Sequence, residues 1–285
     1  DLSGNVYVAD TQNNRIIKWA PDANSGTVVA GGNGSGSGNN QFNNPERVAL
    51  DSSGNIYISD TGNNRIMKWI PDATSGTIVA GGNGAGSNNN QIDSPRGIHV
   101  DSSGNIYISD YNNHRIMKWT PGATSGTVVA GGNGSGSELN KTSQPTDVHV
   151  DSSDNMYIAD FSNSRIIKWV PESTVGIQVA GGNNIRGVDL DSQGNIYVSE
   201  RGNARIMKYS PDGSSGEVFV GANQGSSSNQ LYNPYAIHLD SLGNLYIADS
   251  NNHRIQKHHV SHEITIAAGA TTGTITFTGI DDSTD

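Results

Sequence analysis

The sequence contains no cysteine and no long apolar run. Without cysteine, neither a disulfide framework nor a thiolate metal site can form. No apolar segment approaches the roughly 18 residues of a transmembrane helix, so we expect no membrane insertion. Apolar residues make up 33% of the chain, below the roughly 45 to 50% of an ordinary globular protein. Glycine, asparagine and serine make up the difference, which is typical of many short strands joined by turns.

Cationic residues are also scarce, and most of them are regularly placed. The chain has 17 Lys and Arg against 27 Asp and Glu, a formal net charge of -10. Twelve of the 17 belong to six Arg-Ile-x-Lys units, which begin at Arg15, Arg65, Arg115, Arg165, Arg205 and Arg254. The other cations form no basic stripe of the kind that nucleic-acid binding requires. We therefore expect no nucleic-acid partner.

One segment, Gly54 to Trp69, occurs in six variants along the chain. The copies begin at Gly4, Gly54, Gly104, Asp154, Gly194 and Gly243. Periods of roughly 40 to 50 residues indicate the blades of a propeller. In the first repeat, residues 5 to 9 and 15 to 19 read as a hairpin, residues 27 to 30 as a third strand and residues 48 to 51 as the inner strand of the next blade. The sequence predicts an all-β, six-bladed β-propeller of four-stranded antiparallel blades.

The repeated pattern Asp-x-x-Gly-Asn-x-Tyr-x-x-Asp-x-x-Asn-x-Arg-Ile-x-Lys resembles the NHL repeat. Residues 32 to 45 also resemble the long loop of bacterial NHL proteins, so we assign residues 1 to 262 to an NHL-type propeller. Residues 263 to 285 would hold the outer strand of the sixth blade and a C-terminal tail. Within the tail, residues 274 to 278 either close the ring as the first blade's inner strand or belong to a truncated segment that resembles a Calx-β-like module.

These resemblances imply a secreted bacterial protein located outside the cell or on its surface. We expect the chain to be a monomeric part of a larger multidomain protein.

An acid precedes the arginine of every Arg-Ile-x-Lys unit by five residues, as in Asp10 and Arg15 or Glu200 and Arg205. A carboxylate and a guanidinium facing each other across a tight turn can pair. Because every repeat contains this pair, we interpret it as structural.

The residues that differ between repeats lie at the start of the inner strands and at the tips of the hairpin turns. In an antiparallel blade these two regions share one face. The inner-strand positions are Glu46, Arg96, Thr146, Arg186 and Tyr235, and the unusual turn tips are Tyr111, Phe161 and Arg201. The spacing from Asp151 to Asp191 is ten residues shorter than in the preceding repeats, which would open a gap here. We predict a cleft for a glycan or an acidic peptide; ordinary exposed residues are the alternative interpretation.

Three histidines and an aspartate share one position further along the inner strands: His99, His149, Asp189 and His238. Near a common axis they could converge on a metal ion, or they could be held by hydrogen bonds between blades. We favour no metal site and no cofactor, with a channel metal as the alternative.

We therefore predict a non-catalytic binding or scaffold module whose loop face recognises a protein or glycan ligand. The alternative is a metal-dependent lyase or lactonase that uses the central channel. Its weakness is that Glu46 is the only acid among the five inner-strand positions.

Overall fold

The computed structural model describes residues 1 to 221 and 223 to 260, and its strands form six sheets around one axis. Blade 1 contains β1 (Val6–Asp10), β2 (Arg15–Trp19) and β3 (Thr27–Gly31). Blade 2 contains β4 (Pro45–Leu50), β5 (Ile56–Asp60), β6 (Arg65–Trp69) and β7 (Thr77–Gly81). Blade 3 contains β8 (Pro95–Val100), β9 (Ile106–Asp110), β10 (Arg115–Trp119) and β11 (Thr127–Gly131).

The second half of the ring follows the same plan, with strands in sequence order from the axis outward. Blade 4 contains β12 (Pro145–Val150), β13 (Met156–Asp160), β14 (Arg165–Trp169) and β15 (Ile177–Gly181). Blade 5 contains β16 (Ile185–Leu190), β17 (Ile196–Glu200), β18 (Arg205–Tyr209) and β19 (Gly216–Val220). Blade 6 contains β20 (Pro234–Leu239), β21 (Asn244–Asp249) and β22 (Arg254–His259).

The predicted six-bladed architecture is confirmed, with four strands in blades 2 to 5 and three described strands in blades 1 and 6. The outer strand of blade 6 predicted within residues 263 to 285, and the ring closure predicted for residues 274 to 278, lie outside the described residues. In the part of the chain that the structure describes, no helix has the length and apolar character to cross a membrane.

Each turn from an inner strand to the next strand is held by one aspartate. In blade 2, Asp51 Oδ1 accepts hydrogen bonds from the backbone N–H groups of Ser53 and Asn55, both at 3.0 Å. Asp51 Oδ2 accepts a third, from Asn55 Nδ2 at 2.7 Å. Gly54 has φ of +76°, a conformation that glycine adopts without steric cost. Because the carboxylate oxygens already bind donors of the turn itself, the motif serves the turn.

The hairpin turn in the middle of each blade is a short 3₁₀ segment. These segments are Thr11–Asn13, Thr61–Asn63, Tyr111–Asn113, Phe161–Asn163, Arg201–Asn203 and Ser250–Asn252. The acid and the arginine at the ends of the turn pair, as predicted: Arg65 Nε donates to Asp60 Oδ2 at 2.7 Å. In blade 2 both side chains are at most 4% exposed, so the pair is part of the blade interior.

The core lies between successive blades, and each of the five interfaces from blade 1 to blade 6 contains one cluster of buried apolar side chains. Between blades 2 and 3, Ile66 packs with Met117 and Trp119 of the next blade. Trp119 is 1% exposed, and truncating a buried tryptophan to alanine costs about 3 to 5 kcal/mol. The apolar runs on both faces of each strand follow from this packing of sheet against sheet.

Candidate functional site

The inner strands begin earlier and less regularly than the sequence suggested. The inner strand of blade 2 starts at Pro45, three residues before the predicted start. Its register with β5 shifts between Pro45 and Arg47, and each of the four other inner strands has a similar irregularity just after its first residue. Such an irregularity turns the extra side chain out of the regular alternation. The irregularity therefore places the second residue of each inner strand near the mouth of the central channel.

Three of the predicted residues meet across the channel mouth, although they come from blades 2, 3 and 6. The hydroxyl of Tyr235 donates to Glu46 Oε2 at 3.1 Å and accepts a hydrogen bond from Arg96 Nη1 at 3.1 Å. Arg96 Nε lies 3.6 Å from Glu46 Oε2. Burial raises the pKa of Tyr235, and the Glu46 carboxylate raises it further. The phenol therefore stays protonated and bridges the acid and the cation.

The two predicted aromatic turn tips each carry an arginine on the ring face. The Arg96 guanidinium carbon lies 3.7 Å from the ring centroid of Tyr111, and the Arg186 carbon lies 3.7 Å from that of Phe161. Arg186 also lies 5.4 Å from the centroid of Tyr235. We call Glu46, Arg96, Tyr111, Phe161, Arg186 and Tyr235 the mouth cluster. These six predicted residues thus come together in one contact network.

The other two predicted residues are placed differently. Thr146 is 3% exposed, and its hydroxyl donates to the backbone carbonyl of Arg186 at 2.9 Å, so it supports the mouth cluster from below. Arg201 lies at the turn tip of blade 5 and contributes charge: burial lowers the pKa of Arg186, and the positive charges of Arg96 and Arg201 lower it further. This crowding of cations makes the mouth electropositive in an acidic chain.

Below the mouth cluster, Arg47 of blade 2 pairs with Asp147 of blade 4 across the channel. Asp147 Oδ2 also accepts the backbone N–H of Val188 at 3.0 Å. The intervening blade has Gly97 at this position, and a Cβ there would lie 2.4 Å from the Asp147 Cα. The sequence analysis missed this pair. The signal was nevertheless present in the sequence. The equivalent positions of the other three inner strands hold Gly97, Gly187 and Ala236, so Arg47 and Asp147 are the only charged residues among the five.

The three histidines and Asp189 do converge, one layer deeper in the channel. Asp189 Oδ1 lies 2.6 Å from His149 Nδ1, and Asp189 Oδ2 lies 3.3 Å from His238 Nδ1. The rings of His99 and His149 are 4.9 Å apart at their centroids. Asp189 is 4% exposed. We call His99, His149, Asp189 and His238 the histidine layer.

The histidine layer has strongly perturbed proton affinities. Burial lowers the pKa of His99 to about 4, and the neighbouring His149 adds to this effect. Burial also acts against protonation of His149, but the Asp189 carboxylate outweighs it and raises the pKa of His149. Burial opposes ionisation of Asp189, yet His149 and His238 hold its pKa well below the usual range. The pairing with Asp189 therefore keeps His149 protonated to a higher pH than an isolated histidine.

The carboxylate of Asp189 is already fully engaged by protein donors. Besides the two histidines, it accepts the backbone N–H groups of Leu190 at 2.9 Å and Leu239 at 2.7 Å. Within residues 1 to 221 and 223 to 260, no group of three or more His, Asp or Glu side chains is arranged to hold a metal ion. The absence of a cofactor stays a prediction.

The NHL repeat is recognised in three segments of the sequence, residues 42–69, 93–119 and 231–257. Among solved structures, the chain is similar to a streptogramin B lyase, with 14% identity, a TM-score of 0.57, and coverage of 92% of this chain and 82% of that one. It is also similar to a catalytically inactive virginiamycin B lyase from Staphylococcus aureus with quinupristin, with 14% identity, a TM-score of 0.60, and coverage of 91% and 82%.

No curated protein matches the sequence. At 14% identity the structural similarity concerns the fold alone. Together, the repeat segments, the blade topology and these neighbours show that the chain is a six-bladed β-propeller that contains NHL repeats.

Proposed function

We propose that this propeller is a non-catalytic binding module that recognises an acidic group of a protein or glycan ligand with the mouth cluster. The observation that carries the proposal is the pair of arginine and aromatic stacks, Arg96 on Tyr111 and Arg186 on Phe161, on either side of Tyr235. A guanidinium stacked on a ring keeps its planar edge available for a carboxylate.

Arg186 supplies the donors for such a contact. Its Nε donates to Asn184 Oδ1 at 3.0 Å, while among residues 1 to 221 and 223 to 260 no acceptor binds its Nη atoms. An acidic ligand group would find two parallel N–H donors there, which is the geometry that arginine offers to carboxylates. The Glu46 carboxylate on the opposite side would exclude ligands with a second acid close by, because like charges repel.

The fixed positions of the mouth-cluster side chains are the second observation that supports a binding role. The residues of the mouth cluster lie at strand ends and tight turns, and cross-channel hydrogen bonds fix them before a ligand arrives. A preorganised site loses less conformational entropy on binding. We further propose that the module acts outside the cell or on its surface, as part of a larger bacterial protein.

The test is a screen of the purified protein on arrays of acidic glycans and acidic peptides, followed by binding measurements with Tyr111→Thr and Phe161→Thr. Threonine is the residue of blade 2 at this position, where Thr61 donates to the Pro95 carbonyl at 2.6 Å, so both variants should fold. We expect each to weaken binding about tenfold or more, the equivalent of about 1.4 kcal/mol. Binding that survives both changes would contradict the proposal.

The alternative of a metal-dependent lyase or lactonase predicts a different result. It requires about one metal ion per chain, lost together with activity when His99 and His149 are replaced by glutamine. The binding proposal requires neither. Metal analysis of the purified protein by mass spectrometry separates the two functions.

A further inference from the structure

The arginine of each Arg-Ile-x-Lys unit does more than pair with its acid. In blade 2, Arg65 Nη1 donates to the carbonyl of Ser37 at 2.7 Å, and Nη2 donates to the carbonyls of Gly38 and Gln41 at 2.9 and 3.0 Å. All three acceptors belong to the long loop that leads into the blade. The guanidinium therefore clamps the loop by its backbone.

The asparagine two residues earlier completes the clamp. Asn63 Nδ2 donates to the Gly36 carbonyl at 2.8 Å and to Asp60 Oδ2 at 2.8 Å. The same four carbonyl contacts recur in three other blades, with Asn113 and Arg115, Asn163 and Arg165, and Asn252 and Arg254 as the donors. Arg15 in blade 1 is outside this comparison, since no such loop precedes it among the described residues.

Blade 5 has the two clamp residues, Asn203 and Arg205, but lacks the long loop that they would hold. Its loop is ten residues shorter, so that Gly182 is followed by Asn183 at the position of Asn43. Arg205 Nε still donates to Glu200 Oε2 at 2.6 Å, and Asn203 Nδ2 donates to the same oxygen at 2.7 Å. Within the described residues, no carbonyl accepts from the Nη atoms of Arg205 or replaces the Gly36 contact of Asn63. The donors are thus held in place without their acceptors.

The missing acceptors distinguish blade 5, and the exposure of its arginine does not. The Arg205 side chain is 31% exposed against 4 to 6% in blades 2 to 4, but Arg254 of blade 6, which holds its loop, is also 31% exposed. A second polar atom is also left over: Glu200 Oε1 is buried and accepts no hydrogen bond from the described residues, while Asp60 Oδ1 accepts the N–H of Asn43 at 2.7 Å. The short loop therefore leaves a notch whose donors, Asn203 and Arg205, are oriented by Glu200.

We infer that this notch binds a turn-forming peptide segment of a partner protein, whose backbone carbonyls take the places of the missing loop. The loops of the other blades identify this occupant, because they show which chemistry satisfies the same donors. The residue after the serine is Gly38 in blade 2, Asn88 in blade 3 and Glu138 in blade 4, yet each offers its carbonyl to the arginine. Recognition in the notch therefore depends on the path of the peptide backbone.

The notch shares no residue with the mouth cluster, so the inference goes beyond the proposed function. It adds a second contact site on the same molecule, in which Asn203 and Arg205 supply hydrogen-bond donors and Glu200 Oε1 is an unused acceptor. A ligand that lacks a tight turn cannot bring carbonyls from successive and from more distant residues to one guanidinium. The required partner is thus a compact loop of a folded protein or a constrained peptide.

The probe for the test is the head-to-tail cyclic peptide Gly-Ser-Gly-Asn-Asn-Gln, which reproduces residues 36 to 41. These residues carry all four carbonyls that the clamp of blade 2 holds. The ends of the natural loop already meet, since the N–H of Gly36 donates to the Phe42 carbonyl at 3.0 Å. Cyclisation therefore preserves the turn and reduces the entropy lost on binding. Titration would be followed by calorimetry and by NMR of the arginine side-chain N–H groups.

We expect saturable binding to the unmodified protein and a loss of at least tenfold in affinity for Arg205→Lys, because lysine keeps the charge but cannot offer the forked donors. The matched control is Arg165→Lys, whose clamp already holds its own loop, and this variant should bind the peptide normally. If Arg205→Lys does not fold, Asn203→Ala tests the same site by removing one donor.

Absence of saturable binding, or equal binding by Arg205→Lys, would overturn the inference. So would binding of inorganic sulfate in place of the peptide, which would make the notch a simple anion site. The mouth variants Tyr111→Thr and Phe161→Thr should bind the cyclic peptide as the unmodified protein does. Failure of the proposed function and failure of this inference are therefore distinguishable.

Discussion

The upper and lower parts of the channel differ in how completely their polar groups satisfy one another. Below the mouth, the Asp147 carboxylate binds Arg47 and the Val188 N–H, and each Asp189 oxygen has two protein donors. At the mouth, arginine donors remain without acceptors among the described residues. Strand geometry separates the two levels by about 10 Å, three residues at about 3.3 Å each. The paired carboxylates link blades across the channel, whereas the arginine donors at the mouth can bind a ligand.

Arg47→Met is expected to give the largest effect, because it leaves the buried Asp147 carboxylate without its cation. Breaking such a pair from one side costs about 3 to 5 kcal/mol of unfolding free energy. Chemical denaturation monitored by tryptophan fluorescence measures the loss. The double variant Arg47→Met with Asp147→Asn should recover part of it, since the uncompensated charge is gone.

The matched change at the mouth is Arg96→Met, whose side chain is 21% exposed. It should cost at most about 1 kcal/mol, because partly exposed ion pairs and stacks contribute little to stability. Equal losses for Arg47→Met and Arg96→Met would remove the distinction between a structural layer and a binding layer.

The histidine layer should give opposite pH effects at two neighbouring positions. The pKa of His99 is about 4 in the folded state against about 6.5 when unfolded. Folding stability from this residue is therefore lost as the pH falls from about 6.5 towards 4. His99→Gln should remove a penalty of up to about 3 kcal/mol at pH 4.5 and change little at pH 7.5. Urea denaturation at the two pH values measures the difference.

His149 has the reverse sign, because its folded pKa is raised by Asp189. Its stabilisation is fully present below the unfolded pKa of about 6.5 and is lost as the pH rises through the folded pKa. His149→Gln should thus be more harmful at pH 5 than at pH 9. The charges that face this pair are Asp101, Asp151, Asp189 and His238. The same pH dependence for both variants would show that the two rings are not coupled as the geometry indicates.

Turn-tip variants are expected to have the smallest effect on stability and the largest on ligand binding. Tyr111→Thr removes the ring under Arg96 and should change the unfolding free energy by less than about 1 kcal/mol. Thermal unfolding measures this change. Titration with the ligand identified on the arrays measures the loss of affinity. A large destabilisation would assign the Arg96 stack to the structural part of the channel.

The fold could be predicted from the sequence because one pattern recurs six times and each copy contains the same turn chemistry. Asp51 with Gly54 and Asp60 with Arg65 act within one blade, so short-range spacing is sufficient to identify them. The strand bounds were less accurate. The inner strand of blade 2 extends upstream to Pro45 through a register shift, and no local sequence pattern predicts this shift.

The candidate site was predictable in its members but not in its contacts. Residues that vary between repeats could be assigned to one face, and six of the eight form one network. Which of them touch depends on distances across the ring, as between Arg96 and Tyr235, which are 139 residues apart. Arg47 and Asp147 were missed for the same reason, because their pairing joins blades 2 and 4.

The clamps formed by Arg65, Arg115 and Arg165 hold each long loop through carbonyl oxygens, which every amino acid possesses. The position of a loop is thereby separated from the identity of its exposed side chains, such as Asn39, Asn40 or Leu139. Substitutions at these tips leave the anchoring bonds unchanged. The propeller is therefore a display framework, on which several adjacent loops could be diversified together while the blades and the channel keep their structure.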